Sequence, residues 1–183
     1  MIIHPSENQT IHIDPAKEQE TIEIQEHGSA TIYIGANKTL RLDVALTGIG
    51  ASVKIIGRFL GTDEDKQDIT ARLVIQAPLT DCQIDFRAVL HGSSSSFFDG
   101  MIRVEEGAKD SRGFLSYKAL LLSSGARAKP IPRLEVFTKE VASLGHAASV
   151  GKIDAEQLFY LQSRGLSRDE AKKVIVGGFL RVE

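Results

Sequence analysis

The sequence predicts a mainly β protein whose chain ends in a hairpin of two short helices. From Ile2 to about Phe137, short segments alternate apolar and polar residues, which is the pattern of half-buried strands. Glycine, proline and serine residues separate these segments, and no helical periodicity interrupts them. After Asp154 the pattern changes, because apolar residues recur at three- and four-residue spacing between helix-capping residues.

The strand candidates are short at first and longer later in the chain. The short candidates are marked by alternating pairs: Ile11 and Ile13, Ile22 and Ile24, Ile32 and Ile34, Leu40 and Leu42, and Val44 and Leu46. The longer candidates cover residues 69–76, 81–90, 97–104 and 114–122. This spacing fits a sandwich, a barrel or a solenoid. Because no exact repeat is present, periodicity alone does not separate a sandwich from a β-helix.

Two helices are predicted from their capping residues. Asp154 is a typical N-cap, Gln157 stands at the third position of a capping box, and Gly165 fits a left-handed C-cap. Ser167 repeats the N-cap pattern, with Glu170 three residues later. The second helix has an apolar face formed by Leu166, Ala171, Val174, Ile175 and Phe179. Such a face must be buried against another surface.

Composition and charge exclude several classes of protein. The 183 residues fit one domain, and 42% hydrophobic with 25% charged residues is typical of a soluble globular protein. A net charge of -2 without a run of lysine and arginine argues against binding to nucleic acid or to anionic lipid. The chain shows neither a signal peptide nor an apolar run long enough to span a membrane. We therefore expect a cytoplasmic protein.

The single cysteine, Cys82, limits the metal chemistry of the chain. One cysteine cannot form an internal disulfide, and clusters are normally held by about four protein ligands. Any iron–sulfur cluster would therefore need donors from another chain. Cys82 has the same parity as Ile84 and Phe86, so we interpret it as a small buried core residue.

Three polar groups have weak catalytic or metal-binding signals. Residues 63–66 are most simply a solvated turn, because nothing nearby completes a ligand set. The serines at 93–96 lack the lysine and the helix of a phosphate-binding loop, and we interpret them as a turn into a strand. An enzyme built on a β-helix would need paired carboxylates. The candidates are Asp81 with Asp85 and Glu105 with Glu106. Neither pair carries a specific signal, so we predict no enzymatic activity.

An ordered series of matches to a known family runs from Phe98 to Phe179. Its last part comprises His146–Gly151, Ile153–Asp154, Glu156–Leu161, Ser163–Gly165, Glu170–Ala171, Ile175–Val176 and Gly178–Phe179. Upstream stand Phe98–Gly100, Ile102, Val104, Gly107–Ala108, Leu120–Ser123, Gly125–Ala126, Pro132 and Leu134–Glu135. These residues resemble the SufB/SufD family, the scaffold proteins of iron–sulfur cluster assembly. The segment before Asp81 shares only the general pattern of short strands with the family and none of its specific residues.

The resemblance implies a fold and a division of the chain. The expected core is a right-handed parallel β-helix over residues 1–145, followed by a C-terminal helical segment over residues 146–183. In such a solenoid each rung hydrogen-bonds to the next, so the last rung leaves an open edge that must be capped or paired. That edge is the expected dimerisation surface.

The resemblance also implies partners for the helices. Members of the family dock the ABC-type ATPase SufC through their C-terminal helices, so we expect a non-catalytic scaffold that binds a SufC-type ATPase. A SufB-like subunit or a second copy of the chain is the expected dimer partner. The expected helix contacts are Leu158, Phe159, Leu161, Arg164, Val174, Ile175 and Phe179. We expect at least half of these apolar side chains to pack the hairpin onto the β-helix instead. A divergent β-helix interaction protein is the alternative.

His146 is the candidate cofactor residue. It occupies the position of the family histidine that is implicated in building the nascent cluster at the interface between subunits, and imidazole is a suitable iron ligand. The alternative function is therefore an iron- or cluster-binding module in which His146 acts with ligands from a partner chain. We expect no cofactor held stably by this chain alone, and a transient cluster shared with a partner. The alternative to these functional roles is a structural role for His146, hydrogen-bonded where the strands give way to the helices.

Two departures from the family distinguish this chain from SufB. The position of SufB's cluster-linked cysteine is occupied by Tyr117, and Ala147 replaces the glutamate that follows the histidine. Both departures favour a SufD-like or divergent member. The chain is also much shorter than is usual in the family.

Overall fold

The computed structural model describes residues 1–36 and 38–181, which form two parallel sheets followed by two helices. The first sheet contains β1 (Ile2–Ile3), β3 (Gln19–Ile24), β5 (Thr39–Leu46), β7 (Lys66–Ile75), β9 (Ser95–Val104) and β11 (Arg127–Val136). The second contains β2 (Asn8–His12), β4 (Ser29–Ile34), β6 (Ser52–Gly61), β8 (Asp81–Leu90), β10 (Arg112–Leu121) and β12 (Ser143–Lys152). The helices are α1 (Ala155–Ser163) and α2 (Arg168–Leu180).

Successive strands alternate between the two sheets. Each circuit of the chain adds one strand to each sheet, and each new strand lies parallel to the strand two before it. The register is continuous, so that Ile84 of β8 lies beside Ile55 of β6 and Leu115 of β10. The architecture is therefore a parallel β-solenoid, which confirms the fold class expected from the resemblance and excludes the sandwich and the barrel.

The strands form because every second side chain enters the space between the sheets. Along β9 burial alternates strictly, and Phe98, Ile102 and Val104 are fully buried. The predicted pairs at Leu40 and Val44 belong to one strand, β5, because the alternation continues without a turn between them. Strand β7 begins at Lys66, the last residue of the turn predicted at residues 63–66.

Three aromatic rings fill the widest part of the core. The ring centroids of Phe86, Phe98 and Tyr117 lie 4.8 to 5.8 Å from one another. Gly57 makes room for them, since a Cβ atom there would lie 2.0 Å from the Phe86 ring. A side chain at Gly57 would therefore displace one ring of this tightly packed cluster.

The last strand extends further than the sequence indicates. The boundary drawn between residues 145 and 146 falls inside β12, which pairs with β10 over ten residues up to Lys152. The sequence conceals this strand because it lies at the end of the sheet, where most of its side chains stay exposed and no apolar alternation is needed. The helical part of the chain begins at Ala155.

The helix boundaries follow the predicted caps. The Asp154 carboxylate accepts the Glu156 amide at 2.8 Å, and Ser167 and Glu170 form a reciprocal capping box. After α1, Gly165 has φ +95° and its amide donates to Gln162. This left-handed glycine confirms the predicted C-cap and turns the chain into α2. At Asp154, the described contact involves Glu156 rather than the capping-box residue Gln157.

Candidate partner-binding surfaces

One end of the solenoid is open in the part of the chain that the structure describes. Strands β11 and β12 are the last strands of their sheets, and no described strand pairs with their outer edges. Leu134 and Leu144 pack partly against the core, whereas Val136 and Val150 are exposed. This end therefore presents apolar side chains together with unpaired backbone groups.

The two edge strands differ in their capacity to pair. The amides of Arg127 and Phe137 bond inward to neighbouring residues of the first sheet. Because backbone groups alternate in direction along a strand, Pro130 and Pro132 fall at positions whose amides would point outward. Strand β12 contains no proline, so its outward amides remain available. Of the two edge strands, β12 is therefore the one in which no proline obstructs strand pairing.

His146 lies on this open edge. It is in the middle of β12 beside Leu115 of β10. The Leu115 side chain is buried in the core, whereas the His146 side chain at the same register position is exposed. This position differs from the junction of strand and helix considered in the sequence analysis, because β12 continues for six residues beyond it. Among the described residues, no group of three or more histidine, cysteine or acidic side chains is arranged to hold a metal ion.

Tyr117 lies inside the solenoid. Its side chain is fully buried, and its hydroxyl donates to the Ser96 hydroxyl at 3.0 Å. Burial raises the pKa of Tyr117 to about 12. Tyr117, predicted to stand at the position of the SufB cysteine, therefore contributes to the core packing.

Cys82 is also a core residue, as predicted. It is buried, and desolvation raises the pKa of its thiol to about 12. A protonated, buried thiol is a poor nucleophile and a poor metal ligand. The buried Cys82 thiol is therefore not a suitable metal ligand to act together with the exposed His146.

The helix residues predicted to bind a partner divide into two groups. Leu158, Leu161, Ile175 and Phe179 are half-buried, whereas Phe159, Arg164 and Val174 are exposed. The exposed fractions of Phe159 and Val174 are 73% and 53%. Within α2, Ala171 is the fully buried side chain of the described residues, and Val174, predicted on the same face, points to solvent.

The sequence analysis did not single out Tyr160. Its side chain is 56% exposed, and the Arg164 guanidinium lies 5.3 Å from the centre of its ring. The spacing of four residues between Tyr160 and Arg164 places them on one face of a helix, and this spacing could have identified the pair from the sequence. Together, Phe159, Tyr160, Arg164 and Val174 form what we call the hairpin patch.

Two arginines of the second sheet hold the end of α2. Arg58 Nε donates to the Leu180 carbonyl at 3.0 Å, and Arg87 Nη1 donates to the Phe179 carbonyl at 2.9 Å. Asp85 lies between them and accepts from Arg58 at 2.5 Å. These three mostly buried side chains form what we call the arginine clamp. The clamp supplies positive charge to the negative end of the helix, whose last turn has no basic residue of its own.

One carboxylate of each acidic pair considered for an enzyme forms an ion pair. Asp85 belongs to the arginine clamp, and Glu105 accepts from Arg103 at 2.7 Å.

Comparison with known proteins agrees with the fold. The family model for the SufBD core domain of the SUF system for FeS cluster assembly matches residues 18–179. An iron–sulfur cluster assembly SufBD family protein of Mycobacterium bovis is 32% identical over 148 residues, which are 80% of this chain and 17% of that protein. A second such protein, of Mycobacterium tuberculosis, is 30% identical over 161 residues, which cover 81% of this chain and 40% of the relative.

A third relative, from Mycobacterium leprae, is 29% identical over 161 residues, or 83% of this chain and 39% of the relative. The chain thus spans less than half of the length of each of these relatives. No helix among the described residues is long and apolar enough to span a membrane. Because the family model covers most of the chain, this protein belongs to the SufBD family, whose core domain serves iron–sulfur cluster assembly.

Proposed function

We propose that this chain is a non-catalytic scaffold of iron–sulfur cluster assembly that binds a SufC-type ABC ATPase through its two C-terminal helices. The observation that supports this most is the hairpin patch, which exposes Phe159, Tyr160 and Val174 on helices anchored to a regular solenoid. Exposed aromatic residues with an adjacent arginine are typical anchors of protein interfaces. The half-buried Leu158, Leu161, Ile175 and Phe179 fix the hairpin beneath this patch.

The attachment of α2 to the second sheet would allow a bound ATPase to move the whole scaffold. The arginine clamp ties the end of α2 to β6 and β8, which lie in the middle of the second sheet. A force applied to the hairpin would reach the sheet through these hydrogen bonds and through the packing of Ala171. The scaffold would move with the ATPase because its parallel strands share one continuous register.

Co-purification with the ATPase tests this proposal. The double variant Phe159→Ser with Val174→Ser should lose most of the bound SufC-type ATPase, because it removes two exposed anchors without opening the core. Ile2→Ser is the control, since Ile2 is 48% exposed on β1, at the opposite edge of the first sheet from the C-terminal strand β11. Equal recovery of the ATPase by wild type and double variant would contradict the proposal.

The open edge supports a second part of the proposal, which is pairing with a SufB-like subunit or with a second copy of this chain. Strand β12 offers outward amides, and the neighbouring side chains of Leu144 and Val150 add apolar surface. Ala148→Pro removes one outward amide and no ladder bond within the sheet. We expect it to weaken the pairing, as measured by the mass of the complex in sedimentation, whereas Ala148→Ser keeps the amide and should not. Unchanged pairing by the proline variant would exclude β12 as the pairing edge.

The position of His146 supports the alternative of a cluster shared between chains. An exposed imidazole on the edge that accepts a partner could complete a ligand set with residues of that partner. Iron content after anaerobic reconstitution of the paired complex tests this alternative. His146→Ala should lower the bound iron without lowering the mass of the complex, and unchanged iron would rule out a ligand role.

A further inference from the structure

A cavity of about 280 Å³ lies where the carboxyl ends of β10 and β12 meet the starts of α1 and α2. Part of its wall is aliphatic and comes from Leu121, Leu122, Ile153 and Leu158. The cavity approaches the size of sites that take small organic molecules, which begin at about 300 Å³. It is separate from the hairpin patch, because the exposed Phe159 and Val174 do not line it.

Three cationic side chains line the same cavity. They are Lys152 at the end of β12 and Arg168 and Lys172 on α2. Within the part of the chain that the structure describes, none of the three forms a hydrogen bond or an ion pair through its side chain. Ser123 and Ser124 add hydroxyl groups, and no carboxylate is found among the described lining residues. The Ser123 oxygen accepts the Gly92 amide at 3.0 Å, which leaves its own proton available to a ligand.

This arrangement is unfavourable without a counter-charge. Arg168 opens α2 at the positive end of the helix dipole, where acidic residues are preferred. Lys172 follows four residues later, and like charges at this spacing destabilise a helix. Two acidic residues, Asp169 and Glu170, lie in the same first turn, but neither lines the cavity. The Glu170 carboxylate is turned to Ser167, whose amide and hydroxyl it binds at 2.8 and 2.7 Å. The net charge of -2 shows that these cations are not part of a generally basic chain.

We propose that this cavity binds a small phosphate-bearing molecule. Three cations and two hydroxyls match an anion that has several acceptor oxygens and more than one negative charge. The aliphatic wall would cover an apolar part of the same molecule. The site is distinct from the hairpin patch, because no residue of that patch lines the cavity.

Titration of the intact chain with inorganic phosphate tests the site directly. Amide resonances of Ser123, Ser124 and Lys152 should shift saturably at constant ionic strength. Arg168→Gln with Lys172→Gln should raise the half-saturating phosphate concentration by about tenfold or more, since it removes two charged donors. Lys173→Gln is the matched control, because it removes the same charge from the same helix outside the cavity. Circular dichroism establishes that each variant is folded.

Further titrations separate the possible sources of the anion. Phenyl phosphate should bind more tightly than inorganic phosphate because its ring can contact the aliphatic wall. Acetate should bind at least tenfold more weakly than phosphate, because it carries one charge and two oxygens. Binding of acetate as tight as that of phosphate would contradict the phosphate class and would point to a carboxylate of a partner protein. The site itself would be refuted if wild type showed no saturable shift, or if the double variant and Lys173→Gln bound phosphate equally.

Discussion

At the scale of single residues, the interior of the solenoid is matched closely in volume. Phe86 fits because Gly57 has no side chain, and Tyr117 fits because Ser96 accepts its hydroxyl. Tyr117 also stacks on Phe86 in the buried aromatic core, with ring centroids 5.8 Å apart. Burial, rather than surface chemistry, decides what these residues do.

Gly57→Ala should destabilise the protein. The added Cβ would lie 2.0 Å from the Phe86 ring, and overpacking of this kind typically costs about 1–3 kcal/mol in the free energy of unfolding. Gly177→Ala is the matched control with the opposite sign, because Gly177 lies in α2 with open space around it, and alanine favours a helix by about 1 kcal/mol. Urea denaturation of both variants measures the difference. A neutral Gly57→Ala would contradict the packing described here.

Cys82 should make stability depend on alkaline pH. Burial raises the pKa of its thiol to about 12, so the unfolded chain loses this proton at lower pH than the folded chain. The contribution of Cys82 to the free energy of unfolding is therefore fully present below about pH 9 and is lost as pH rises toward 12. Tyr117 adds a loss of the same sign above about pH 10.

Cys82→Ala separates the two contributions. Unfolding by urea at pH 7, 9 and 10 should show a smaller loss of stability with rising pH in the variant than in wild type. Parallel pH profiles for the two proteins would show that the Cys82 thiol is not the group responsible.

At the scale of elements, the helices are fixed by caps at their starts and by the arginine clamp at the far end. The caps were predictable because Asp154, Gly165 and Ser167 act on residues close to them in sequence. The clamp was not, because Arg58 and Leu180 are separated by 122 residues. Strand β12 also escaped prediction, since an edge strand with exposed side chains shows no apolar alternation. Local signals thus identified the helices, and contacts distant in sequence placed them.

Arg87→Gln should loosen the last turn of α2. The guanidinium donates to the carbonyls of Phe179 and Arg181 and lies 3.3 Å from Asp85, and a charged hydrogen bond contributes about 1.5–3 kcal/mol. We expect amide hydrogen exchange at Phe179 and Leu180 to accelerate by about tenfold or more. Lys118→Gln is the control, because Lys118 lies beside Arg87 on the same face without a described hydrogen bond or ion pair. Equal exchange rates in the two variants would exclude a role for the clamp.

At the scale of the whole molecule, the chain combines a regular solenoid with two dissimilar surfaces at its C-terminal end. The open edge at β11 and β12 offers backbone groups, whereas the hairpin patch offers exposed aromatic side chains. Alternation in the sequence predicted the strands but left sandwich, barrel and solenoid open, because all three bury every second residue. The family resemblance favoured the solenoid, and the parallel pairing of the strands confirms it.

The central claim is that the helical hairpin is the docking site for a SufC-type ATPase. Amide hydrogen exchange of the chain, measured with and without the ATPase, tests this claim most directly. We expect binding to protect α1 and α2 around Phe159 and Val174 and to leave the outer face of the first sheet, around Arg72, unchanged. Protection confined to that sheet, or no protection at saturating ATPase, would contradict it.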